Sequence, residues 1–164
     1  MSPDSRDACH GPVQPAIRVM LMPKDTNGMG TIFGGILLSY IDIAGAVEAR
    51  RFAHGPVVTA ALHEVEFHAP VFVGDLVSFY TETLELGRTS VRVKVKVEAE
   101  RKAGSRAVVD VTEAEVVYVH VGTDDRRPAP LDPLLIHAAG LPVPKGIQEA
   151  ATKSPAKGTP SDPQ

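Results

Sequence analysis

The hydrophobic period of this chain changes once. Ile36, Leu37, Tyr40, Ile41, Ala44 and Val47 recur at spacings of one, three and four. That spacing predicts a helix from about Phe33 to His54. Ala44, Gly45, Ala46 and Ala49 interleave with the larger residues, so neighbours can approach the helix closely from more than one side. Charge enters only at its end, in Glu48, Arg50 and Arg51, and Gly55-Pro56 stops it. From residue 57 the period is two. Segments 57–68, 76–86, 90–100 and 107–121 read as strands. The third is the clearest: Val91, Val93, Val95 and Val97 point one way, and Arg92, Lys94, Lys96 and Glu98 the other. Before the helix, AIRVMLM (16–22) reads as a short strand ended by Pro23, followed by the turn-rich loop KDTNGMGT.

This order, one strand, a long helix and four strands, predicts a two-layer α+β domain. A five-stranded curved antiparallel sheet would wrap one long central helix, which explains why that helix has so little polar face. The short links at Gly87-Arg88 and KAGSR make the last three strands antiparallel neighbours. The charged face of 90–100 is then the outer, solvent face. The domain spans 15–135. Residues 1–14 read as a flexible leader, and 136–164 as a Pro/Ala/Lys-rich tail expected to be disordered.

Composition narrows the function classes. The 164 residues suffice for one domain with a real core. A net charge of −3, no Trp and few aromatics argue against nucleic acid as a partner. Cys9 is the single cysteine, so neither an intramolecular disulfide nor a cysteine metal cluster is expected, and no metal site is assigned. No apolar run reaches bilayer length, and the leader lacks the basic and apolar regions of a signal peptide. A cytoplasmic protein without membrane insertion is the expectation.

The candidate chemistry centres on Asp42, a carboxylate placed two turns into an apolar helix. Seven residues separate it from Gly35, about 10 Å along the axis and on one face. Gly34 and Gly35 allow another group to approach the backbone, where the first helical N–H groups lack internal partners. With the helix dipole, these form a site for developing negative charge. Asn27, in the preceding loop, adds an uncharged hydrogen-bonding side chain. A carboxylate, an amide and free N–H groups are the parts needed to hydrolyse an acyl compound, with the carboxylate acting on water or attacking directly. Residue type and spacing alone leave the bland alternatives open: a carboxylate that caps a loop or faces an interface, glycines that serve packing, and an asparagine that only forms its turn.

MPKDTNGMGTIFGGILLSYID, RFAHGPVVTAALHEVEFHAPVFVGDLV and LGRTSVRVKVKVEAE, in that order, resemble the hotdog-fold acyl-CoA thioesterases. Within them the chain is most similar to the acyl-CoA hydrolase group of YciA-like enzymes and cytosolic long-chain acyl-CoA hydrolases. The resemblance covers about residues 16–130. It rests on the combination of DTN, FGG, the helix Asp, the VT strand start, the F-x-x-P-V-x-x-G-D turn and GRTS. It implies hydrolysis of an acyl-CoA thioester to a carboxylic acid and CoA, without a cofactor, CoA being part of substrate and product. It implies a homo-oligomer, a dimer of hotdog subunits assembled further as a trimer of dimers, with the site between subunits. Asp42 matches the catalytic acid, as general base or nucleophile. Asn27 matches the catalytic asparagine supplied by the partner subunit. Gly34 and Gly35 match the carbonyl-binding helix start, and Arg88, Thr89 and Ser90 the passage along CoA. His54, His63, Glu64 and His120 read as structural. Two alternatives stand beside this. One is a hotdog enoyl-CoA hydratase or dehydratase, disfavoured because no His lies in the segment carrying Asn27 and Asp42. The other is a non-catalytic acyl-CoA sensor. Acyl preference is expected to depend on packing around Tyr40, Ile41 and Phe67.

Overall fold

The computed structural model describes residues 14–101 and 107–147. Strand β1 (Ile17–Met20) is followed by helix α1 (Gly34–Ala49), strands β2 (Val57–Phe67), β3 (Leu76–Leu86), β4 (Ser90–Glu100) and β5 (Val108–His120), and a short helix α2 (Pro133–Ala138). The expected helix therefore starts at its predicted place, with Phe33 as the cap, but is shorter: Arg50–Phe52 tighten into a 3-10 turn. All five strands pair antiparallel in the order β1-β3-β4-β5-β2.

The sheet curls around α1. Leu37, Ile41, Ala44 and Ala49 on the helix, and Val77, Phe79, Val91, Val93, Val95, Val97, Val111 and Val116 on the strands, form one buried core. The alternation read in 90–100 is the observed one: the valines face α1. The opposite face carries cross-strand pairs such as Lys94 Nζ to Glu113 Oε2 (2.7 Å) and Lys96 Nζ to Asp110 Oδ1 (2.9 Å). Such solvent-exposed pairs add little to stability, so the valine face decides the register.

The turn into β3 is fixed from two sides. Gly74 sits at φ +88°, where only glycine is unstrained. The buried Asp75 carboxylate accepts from the Phe72 amide (3.0 Å) and from the Arg101 guanidinium, which also lies over the Phe72 ring.

The expected tail boundary is corrected over residues 136–147. Ile136 and Ile147 are fully buried, and Leu141 and Val143 pack against the core. Asp132 starts this strap by capping α2, its Oδ1 accepting from the Leu134 amide at 2.7 Å. The rest of the predicted tail, 148–164, and all but the last residue of the leader lie outside the described residues.

Candidate active site

Asp42, on α1, is held by two strands. Its carboxylate Oδ1 accepts a short hydrogen bond from the Thr59 hydroxyl on β2. Its backbone carbonyl accepts from the Tyr118 hydroxyl on β5 at 2.7 Å. Tyr118 reaches α1 because residue 45 is glycine: a Cβ there would lie 2.8 Å from Tyr118 Cε2 and nearer still to the hydroxyl. Burial, together with the charge of Asp42 beside it, raises the Tyr118 pKa above its ordinary value, so the phenol is held protonated as a donor. The Asp42 side chain is itself half-buried, at the seam between α1 and the start of β2.

One end of this seam is the helix N-terminus. Phe33 caps α1 without a side-chain acceptor, and only the Ile36 amide turns back to Phe33 O (2.9 Å). The Gly34 and Gly35 amides have no acceptor among the described residues, as a helix start without a polar cap requires. A cleft of about 340 Å³ opens here, lined by Thr31, Gly34, Leu37, Phe67 and His68 among others. Of the three residues expected to set acyl preference, Phe67 lines it. Ile41 is in the core, and Tyr40 stacks on Phe79 (5.6 Å).

The other predicted residues are not brought to Asp42 within one chain. Asn27 organises its own loop: Nδ2 donates to Thr31 Oγ1 (2.8 Å), and Oδ1 accepts from the Met29 amide (2.8 Å) and the Thr31 amide (3.3 Å). Arg88, Thr89 and Ser90 form the β3–β4 turn and the start of β4. Arg88 O accepts from the Leu131 amide and Thr89 O from the His120 amide. Ser90 pairs with Val119, whereas Phe67, beside Gly34, pairs with Thr112. Seven strand residues, about 23 Å, separate the two positions.

Sequence reasoning missed the roles of Thr59 and Tyr118. Thr59 lay within the quoted VT strand start, but its partner on the helix was not visible. A lone tyrosine hydroxyl on the apolar face of β5 was the signal for the other. His54 and His120 are structural here: His54 Nε2 pairs with Asp132 Oδ2 at 2.7 Å, and His120 Nδ1 bonds Pro130 O at 2.8 Å. His68, far from the helix in sequence, shares the cleft at its N-terminus. Among the described residues no cluster of His, Cys, Asp and Glu could hold a metal ion.

One long helix inside a curled antiparallel sheet, with a carboxylate in mid-helix and an open helix start, is the hotdog arrangement, and the chain belongs to the thioesterase superfamily, whose family model matches residues 29–105. Among its relatives, an uncharacterized acyl-CoA thioester hydrolase of Haemophilus influenzae is 40% identical over 67% of this chain and 73% of its own. The acyl-CoA thioester hydrolase YciA of Salmonella typhimurium is 38% identical over 70% of this chain and 87% of its own. A hexameric hotdog-fold thioesterase of Campylobacter jejuni superposes with a TM-score of 0.73 at 41% identity, covering 78% of this chain and 97% of that one.

Proposed function

We propose that the chain hydrolyses acyl-CoA thioesters to a free carboxylic acid and CoA, in the cytoplasm. The observation that carries this is the pairing of the Asp42 carboxylate with the unpartnered Gly34 and Gly35 amides on one helix. The thioester carbonyl accepts from these amides. Asp42, anchored through Oδ1 by Thr59, uses Oδ2 to take a proton from water as the water oxygen attacks the carbonyl carbon. The resulting oxyanion is held by the amides, each such donor contributing roughly 3–4 kcal/mol. Collapse expels the CoA sulfur, which receives the proton from Asp42. Direct attack by Asp42, giving an anhydride that water then opens, is the other route. Water and the thioester are the only reactants.

Asn27 enters from a second copy. β2 is a sheet edge, and Val58, Leu62 and Phe67 on it are exposed, as are Ile43 and Val47 on the adjoining face of α1. A long apolar edge of this kind is a pairing surface. Joining two copies there covers it and completes the site, in a trimer of dimers like the hexamer of the Campylobacter jejuni relative. Arg88, Thr89 and Ser90 lie along CoA in that assembly.

Thiol release from short, long and aromatic acyl-CoAs tests the reading, with wild type and Asp42→Ala side by side. Hydrolysis by the wild type and a fall in kcat of at least about 100-fold in the variant are expected. Wild-type kcat in the variant would remove Asp42 from the chemistry. His68, at the cleft beside Gly34, favours a second reading as a hydratase, and loss of an enoyl-CoA double bond without thiol release would support it.

A further inference from the structure

The Phe33 ring folds back onto the first turn of α1. It can do so because residue 35 is glycine: a Cβ there would lie 3.1 Å from Phe33 Cδ1 and nearer still to Cε1. The Phe33 backbone is pinned on both sides, its amide donating to Asp25 O (2.8 Å) and its carbonyl accepting from the Ile36 amide (2.9 Å). A second ring flanks the neighbouring glycine: a Cβ at Gly34 would lie 3.5 Å from Phe67 Cε2 and Cζ. The two glycine amides therefore open between two aromatic side chains. One comes from just before the helix and the other from the end of β2.

The rings stand on different sides of α1, because successive residues of a helix project about 100° apart. Gly35 shares its side with Leu38 and Asp42, three and seven residues on. The Phe33 ring thus heads the ridge that carries the carboxylate. Gly34 shares its side with Leu37, and Phe67 faces both across the cleft at the helix start. Neither ring belongs to the buried core: Phe33 is 56% exposed and Phe67 45%.

We infer that Phe33 is a specificity-determining residue: its ring and that of Phe67 are the walls between which the acyl α-carbon passes, and they admit a methylene but not a branched carbon. The inference rests on the thioesterase reading and adds a selection rule to it. A carbonyl oxygen bonded to the Gly34 and Gly35 amides, with its carbon open to water on Asp42, places that carbon beside both rings. Its two substituents are the sulfur and the α-carbon. The apolar acyl chain belongs in the cleft lined by Gly34, Leu37 and Phe67, where burial favours it. To reach it from the Asp42 side, the α-carbon crosses between the rings. A methyl on that carbon meets the Phe33 ring, which Gly35 seats and the pinned backbone holds.

The test compares isomers that differ only in a branch at the α-carbon: butyryl- against isobutyryl-CoA, and myristoyl-CoA against its α-branched isomer. The enzymes are wild type, Phe33→Ala and Leu134→Ala, the last an exposed leucine on α2 that serves as the control. Wild type is expected to favour the straight chains. Phe33→Ala should raise the branched-to-straight ratio of kcat/KM about tenfold, within the range for one methyl group in an apolar site. Leu134→Ala should keep the wild-type ratio. The ratio does not depend on the fraction of enzyme folded or assembled, so an unchanged ratio in Phe33→Ala overturns the inference. A second readout needs no turnover. The chain contains no tryptophan, so Phe33→Trp places a single indole at this wall. The ketone analogue of butyryl-CoA, with a methylene in place of the sulfur, should shift its emission, and free CoA should shift it much less. Equal shifts would put the ring beside the thiol arm and overturn the assignment, as would no shift. If wild type releases no thiol from any acyl-CoA while the analogue alone still shifts the indole, the hydrolase reading falls and the acyl wall stands.

Discussion

Asp42 is placed by groups that are remote from it in sequence. Thr59 lies 17 residues away and Tyr118 lies 76 away. The Asp itself was legible, because a carboxylate among Ile41, Ile43 and Ala44 breaks the apolar pattern and calls for a reason. Its partners were not, because a hydroxyl on a strand gives no sign of the helix it will meet. Tyr118→Phe keeps the ring beside Gly45 and removes the donor to Asp42 O. A loss of about 1 kcal/mol in urea unfolding is expected, together with a fall in kcat larger than any change in KM. The raised Tyr118 pKa adds a pH signature. The folded state binds this proton more tightly than the unfolded one, so its stabilisation is complete below the free tyrosine value of about 10 and is lost as pH rises above it. The wild type should therefore lose stability above that pH more steeply than Tyr118→Phe. Parallel stability curves would contradict the role assigned to the hydroxyl.

Among the elements, α1 and the four long strands were legible, and β4 most of all, because its valines keep one period along the whole strand. The strap after β5 was not. Its buried anchors, Ile136 and Ile147, are eleven residues apart with prolines between them, so no helical or strand period forms. Composition then favoured a disordered tail, although a few well-spaced isoleucines suffice to tie a segment down once a core exists. Ile136→Ala should cost about 2–5 kcal/mol in urea unfolding, the range for emptying a buried isoleucine site. A change below about 0.5 kcal/mol would return the strap to the status of a tail. The shortening of α1 at Ala49 has a similar origin. Arg50 and Arg51 suit a helix end, and the 3-10 turn that they open carries Phe52 into the core.

At the scale of the whole molecule, one chain holds the parts of the site without joining them. Asn27 is engaged in its own loop, and Arg88 to Ser90 lie at the other end of the sheet. The exposed edge and apolar side chains of β2 indicate where a second copy would complete it. The pattern of residues could suggest this assembly only through family resemblance, because nothing in a single chain's periodicity records which copy supplies which group. The most direct measurement mixes two variants expected to be inactive, Asp42→Ala and Asn27→Ala, under conditions where subunits exchange, and follows thiol release. If each site takes Asp42 from one copy and Asn27 from the other, half of the sites in every mixed dimer are intact, and the mixture recovers roughly a quarter of wild-type activity. If exchange is complete and no activity returns, both residues act within one chain and the two-copy site is wrong.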